Sequence, residues 1–374
     1  MRGVVDLTRK EIARKMWGFG WRLSFATLAL GGSGAGLLLL WVSALLGGAK
    51  LRLPRSVLPL MVPLGSWMVV TSFFAEAPAV AFAASLGSWL MILTAFSVNE
   101  DTPSFEELTR LCFFGAIAAA LVAYSAPLRG LRRAGAFVGV NAFGTTIFLG
   151  TALGLIYLNS APERKKWQLP FLLLMGVAEL LTFSRGGWLG FLTMCLVFYL
   201  GDKKAVAVLI LLALLFSSLA FLWPPLAERG KSMISFAANQ DRVRIYRRTL
   251  QMIKDHPLLG IGAGNFPGVY EAYSPPDQLV YHAHSIYLST LVELGVPGGI
   301  LFLLLLGRVV AAAWRCRATL MGRGILAAIL GCLVHGLFDV TIFGIHVGMA
   351  FWALGGIAFF LESMFRKTSK EAFG

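Results

Sequence analysis

The chain has 374 residues, 57% of them hydrophobic and only 14% charged, with a mean hydropathy of +0.74. A soluble domain carries about a quarter charged residues, and no soluble fold hides this much apolar surface. The net charge of +14 lies mostly in short segments between apolar runs, a distribution that fits membrane topology and contact with anionic lipids and speaks against nucleic acid as a partner.

The first segment, 1–16, is basic and amphipathic, with Arg2, Arg9, Lys10, Arg14 and Lys15. No small-residue cleavage site ends a short apolar core there, so a retained cytoplasmic tail is expected. Gly31 to Gly36 interrupts the first apolar stretch, which has Arg22 before it and Lys50, Arg52 and Arg55 after it. Two short helices in a hairpin fit this pattern. Further spans are predicted at about 57–74, 77–97, 108–127, 135–159, 168–183, 187–200, 205–223, 285–313, 323–343 and 345–364, giving about twelve. The fold class expected is an all-α polytopic membrane protein. Alternating strands of a barrel are absent, and an open sheet leaves its backbone unsatisfied in lipid. The predicted organisation is nine spans over 17–223, one large extracytoplasmic loop at 224–283, three spans over 284–364 and a cytoplasmic tail at 365–374.

Basic segments test that threading. Lys50 to Arg55, Glu163 to Lys166, Lys203 with Lys204, Arg315 to Arg323 and Arg366 to Lys370 all fall on the cytoplasmic side. Arg129, Arg132 and Arg133 fall outside. Either a helix is miscounted, or those arginines are held outside to meet an anionic ligand.

A loop of about sixty residues in a compact membrane protein is functional or disordered, and this one carries the marks of order. Asn239 or Asp241 can cap a helix that runs to His256, where Pro257 and Gly260 stop it. Val243, Tyr246, Leu250 and Ile253 form its predicted apolar stripe, with Arg244, Arg247 and Arg248 clustered away from it. Such a helix can lie on the membrane surface. Arg242 stands four residues before Tyr246 and shares the apolar face, where a guanidinium wants an anion; the plainer alternative is an arginine snorkelling into water. Gly260 to Phe266 is glycine-rich but follows a helix, so it reads as tight turns and not as a nucleotide loop.

Four constellations can carry chemistry. Arg185, in Ser184-Arg185-Gly186-Gly187, sits between two spans with little loop around it; it is either a ligand-binding arginine or one resting among lipid headgroups. His282 and His284 end the loop where the next span begins, and a histidine there can act as a general base, bind a metal or cap the helix. His335 and Asp339, four apart on a late span, are expected to share a helical face within hydrogen-bonding reach of each other, either as a functional pair or as a structural one. Glu179, also within a span, carries the same ambiguity. The four cysteines are scattered, with no CxxC spacing, and support neither a disulfide framework nor a zinc site.

Three stretches, in order, resemble the O-antigen ligase and polymerase family of bacterial envelope glycan enzymes: LTFSRGGWLGF at 181–191, DRVRIYRRTLQMIKDHPLLGIGAGNF at 241–266 and HAHSIYLSTLVELGVPGG at 282–299. Residues 133–144 (RAGAFVGVNAFG) resemble an outer-face segment of the same family more weakly. The resemblance implies a GT-C-like helical enzyme of the bacterial inner membrane. It implies transfer of a glycan from an undecaprenyl-pyrophosphate carrier to a hydroxyl of a lipid or glycan acceptor, on the extracytoplasmic face, without metal or cofactor. Carried onto matching positions, Arg185 and Arg242 bind the pyrophosphate and His284 activates the hydroxyl, with His282, Arg133, Tyr246, Arg247 and Asp339 as further substrate-binding candidates. Ser285 and Tyr246 stand where the family usually has Asn and often has Trp. A repeat-unit polymerase differs only in its acceptor, a protein hydroxyl is a further acceptor, and a transporter or flippase relaying protons through His335, Asp339 and Glu179 is the alternative from another class.

Overall fold

Proline and glycine mark most element boundaries in this chain. In the computed structural model the chain is described except for residues 1, 29–32, 47–53, 99–100, 129–133, 136–138, 223, 235–238, 275–279 and 374. The helices are α1 (Arg2–Ala26), α2 (Ser33–Leu45), α3 (Leu58–Phe73), α4 (Pro78–Phe96), α5 (Phe105–Leu128), α6 (Val140–Asn159), α7 (Gln168–Leu181), α8 (Arg185–Phe198), α9 (Lys203–Leu222), α10 (Pro224–Ile234), α11 (Gln240–Asp255), α12 (Phe266–Glu271), α13 (Ile286–Arg315), α14 (Leu320–His335) and α15 (Ile345–Phe373). Among the described residues every regular element is helical. Among the described residues, five helices are long and apolar enough to cross a membrane: Pro78–Phe96, Phe105–Ala126, Val140–Asn159, Ile286–Arg315 and Ile345–Arg366. Shorter apolar helices accompany them at Ala35–Leu45, Leu58–Phe73, Arg185–Phe198 and Leu320–His335. The chain is a polytopic helical membrane protein.

The hub is α6, which packs against α5, α7, α8, α14 and α15 and buries nearly every side chain from Phe143 to Ile156. Small residues let its neighbours close in. A Cβ on Gly190 would meet the Gly331 carbonyl oxygen at 3.0 Å, and one on Gly331 would meet the Gly190 carbonyl at 2.9 Å, so α8 and α14 touch backbone to backbone, as membrane helices do where side chains are minimal.

Two departures from the sequence pattern shape the site. The span predicted over 285–313 is not one continuous helix: α13 breaks at Gly295, whose φ is 67°, with Pro297 just beyond. The break exposes the carbonyls of the preceding turn, and other segments satisfy them. Ile261 N–H donates to Val292 O and Gly262 N–H to Glu293 O, both at 2.9 Å, and Trp67 Nε1 donates to Leu294 O at 2.8 Å. The glycine-rich segment thus caps a broken helix, using left-handed glycines at 260, 262 and 264.

The second departure concerns α11. Its buried face is Ile245, Thr249 and Met252, whereas Leu250 of the predicted stripe is 49% exposed. Two adjacent stripes are apolar, and the one pressed into protein is the one that meets Phe266, Tyr270, Ala283 and Val292. Tyr246 and Ile253 pack at its edge.

Candidate functional site

His284 lies in the short segment that leads into α13. Ser285 caps that helix by accepting from Leu288 N–H at 3.4 Å, and Ile286 N–H donates to Gly336 O at 2.9 Å, tying the start of α13 to the end of α14. His284 itself has φ 52°, a left-handed conformation that costs a non-glycine residue about 1–3 kcal/mol. Its surroundings hold it there. Its N–H donates to His282 Nδ1 at 3.2 Å, and the Tyr246 hydroxyl lies 3.0 Å from its carbonyl and 2.9 Å from that of Leu337. The two histidine rings meet edge to face, 4.3 Å between centroids.

His284 Nδ1 faces Asp339 Oδ2 at 3.9 Å, an approach longer than a normal hydrogen bond. Asp339 is buried in the connection between α14 and α15. Asn141 Nδ2 donates to its Oδ2 and Val340 N–H to its Oδ1 at 2.7 Å. Burial works to raise the Asp339 carboxyl, but the imidazoles of His284, His335 and His282 and the Val340 N–H outweigh it and hold the pKa at about 2. Burial, seconded by His284, pushes His282 below its ordinary value, and burial raises the Tyr246 phenol. At neutral pH the cluster is therefore an ionised carboxylate beside a neutral His282 and a protonated phenol.

A chain of bonds leads from this carboxylate to α8. Asn141 Oδ1 accepts from Ser184 Oγ at 2.8 Å, and Ser184 in turn caps α8 by accepting from Gly187 N–H at 3.1 Å. Arg185 follows immediately, with its Nη1 donating to the Ser232 carbonyl of α10 at 2.6 Å. Arg242 opens α11, half-buried; no hydrogen bond or ion pair engages it among the described residues, and its charge acts on both Tyr246 and His282. Arg247 is exposed on the same helix. Arg133 lies outside the described residues, so its placement is not part of this geometry.

The structure thus brings His282, His284, Tyr246 and Asp339 together, with Arg242 in electrostatic reach and Arg185 joined through Ser184 and Asn141. The expected pairing of His335 with Asp339 does not form. Helix α14 ends at His335, so the two residues do not share a helical face. His335 Nδ1 instead meets Thr145 Oγ1 at 3.1 Å and Thr341 Oγ1 at 3.3 Å, while its ring packs against Gly186. Glu179 is 2% exposed, and neither carboxyl oxygen has a hydrogen-bond partner among the described residues; Gly144 and Gly187 leave the space it fills. Sequence reasoning missed Asn141 as a link in the site. The available signal was a bare amide on an otherwise apolar span. Among the described residues no group of three His, Cys, Asp or Glu is placed to hold a metal ion.

The fold defines a class, a helical membrane protein in which two histidines, a tyrosine and a buried carboxylate meet where the segment after α11 re-enters the bundle. Residues 170–303 match the family model Wzy_C, described as O-antigen ligase, so about a third of the chain carries the segment of the O-antigen ligase family that its motifs resemble. Arg185, Arg242, Tyr246, Arg247, His282 and His284 fall inside the matched segment, Asn141, His335 and Asp339 outside it. No curated protein matches the chain. The family supports a membrane glycosyltransferase of O-antigen ligase or polymerase type acting in polysaccharide biosynthesis, with a lipid-linked glycan and an acceptor as its partners.

Proposed function

We propose that this chain transfers a preassembled glycan from undecaprenyl pyrophosphate to an acceptor hydroxyl on the extracytoplasmic face of the bacterial inner membrane, with inversion and without a metal. The observation that carries the reading is the approach of His284 Nδ1 to the ionised, buried Asp339 beside the half-buried and unengaged Arg242. Asp339 favours the tautomer with the proton on Nδ1, which leaves Nε2 as the basic atom. In the step itself, Nε2 takes the proton of the acceptor hydroxyl as that oxygen bonds to the anomeric carbon. The bond from the anomeric carbon to the phosphate oxygen breaks, and its electron pair leaves with the pyrophosphate. Arg242 and Arg185 receive the developing charge, since guanidinium forks match phosphate oxygens bidentately. The start of α8 adds its dipole and its first N–H groups on the same side. A repeat-unit polymerase uses the same chemistry on a different acceptor.

The reading is tested with purified protein in detergent, a polyprenyl-pyrophosphate glycan and EDTA. Transfer by the wild type with His284→Ala and Arg242→Ala both inactive is the expected result. Undiminished transfer by either variant would remove that residue from the mechanism, and transfer abolished by EDTA and restored by a divalent ion would remove the metal-free scheme.

A further inference from the structure

A cavity of about 490 Å³ opens beside this site and is not used by the chemistry above. It lies between α2, α3, α4, α13 and α15 and falls within the size range of small-molecule and cofactor sites. Its lining is mainly apolar and includes Trp41, Met68, Met91, Phe302, Phe343 and Trp352. Polar groups come from the re-entering segment and the start of α13, with Tyr281, His282, Ser289 and Glu293 in the lining. Two of these groups have hydrogen-bonding capacity to spare. Ser289 Oγ is buried without a partner among the described residues, and Glu293, held by Gly264 N–H donating to its Oε2 at 3.2 Å, keeps its second oxygen. A buried hydroxyl left unmet costs free energy that a ligand can return.

The lining contains no Lys or Arg, so nothing in it compensates the charge of a phosphate or pyrophosphate. The arginines assigned to the donor sit on α8 and α11, neither of which lines the cavity. His282 connects the two regions: its ring lines the cavity and contacts the ring of His284. We propose that this cavity anchors the acceptor, holding the apolar chain of a lipid whose uncharged, hydroxyl-bearing headgroup is met by Ser289 and Glu293 and presented past His282 to His284. This assignment rests on the transfer reaction proposed above. It makes the acceptor a neutral glycolipid-like amphiphile, and it separates acceptor from donor by charge.

Gly87 supplies the test, because it lines the cavity and a Cβ built on it meets no atom within 4 Å. Gly87→Ala, Gly87→Leu and Gly87→Phe therefore add bulk stepwise from a helical position where a Cβ is accommodated. The full chain in lipid nanodiscs would be exposed to an alkyl glycoside carrying a diazirine in its tail, and to an alkyl phosphate with the same tail, and the crosslinked peptides identified by mass spectrometry. The glycoside is expected to label peptides containing Met68, Met91 or Trp352, with labelling little changed in Gly87→Ala and reduced at least tenfold in Gly87→Phe, and with the phosphate labelling weakly. Equal labelling across the series, labelling confined to other peptides, or a phosphate probe as effective as the glycoside would overturn the anchor site. Labelling requires no turnover, so a protein that labels as expected but transfers nothing refutes the transfer reaction and leaves the cavity's binding chemistry standing. A Gly87→Phe protein that transfers to lipid acceptors with unchanged KM refutes the anchor alone.

Discussion

Asp339 keeps its charge throughout the working pH range, because its surroundings hold its pKa at about 2. The sign follows from linkage: a depressed carboxyl stabilises the fold fully above its ordinary value near 3.8, and this contribution is lost as the pH falls through about 2. An acid limb in the pH profile of transfer above pH 4 therefore belongs to a group other than Asp339. Asp339→Asn should lower kcat about a hundredfold, within the range of a general-base contribution, with little change in the KM of the donor; a purely structural role would instead change the melting temperature and both constants together. Asn141→Ala should give a smaller loss of the same kind, since Val340 N–H still holds Asp339. Asp339 was singled out on the sequence, but its hydrogen-bond partner was not. Its real neighbour, Asn141, is 198 residues away in the chain, and no periodicity reports a contact of that range. Arg185, Arg242, Tyr246 and His284 were singled out as candidates because local motifs carry them.

The break in α13 ties that helix to the segment that follows α11. A Cβ on Gly295 would stand 2.0 Å from the Leu258 carbonyl oxygen, at a φ of 67° that disfavours any side chain. Gly295→Ala should therefore destabilise the protein by more than about 1 kcal/mol, read as a lower melting temperature in detergent, with transfer lost in proportion to folded protein. A variant as stable as the wild type would mean that the break is not required. Hydropathy presents 285–313 as one uniform apolar run, so a break held by Pro257, Ile261, Gly262 and Trp67 from elsewhere in the chain was not legible there. Similarly, α11 carries two adjoining apolar stripes, and only the packing of α12 and α13 selects which one is buried.

The class of the whole molecule was readable from composition alone, since 57% hydrophobic residues arranged in long runs leave few choices other than a helical membrane protein. The number of crossings is less directly encoded. Helices such as α7 and α8 are 14 residues each, shorter than the roughly 20 residues of a complete span. The predicted topology puts the His284 end outside and the α13–α14 turn inside. Background labelling should be low for such a test, because all four cysteines are buried. A cysteine introduced at Tyr281 should react with a membrane-impermeant maleimide on intact spheroplasts, and one at Arg317 only after permeabilisation; the reverse pattern would invert the topology and remove the site from the extracytoplasmic face.

The central claim, that the His284 imidazole is the base, is tested most directly by replacing it with glycine, which accepts the positive φ of this position, and adding imidazole to the assay. The account predicts that His284→Gly binds the lipid-linked donor normally, transfers at least a hundredfold more slowly, and recovers transfer in proportion to the concentration of neutral imidazole. Transfer by His284→Gly at the wild-type rate without imidazole would contradict it.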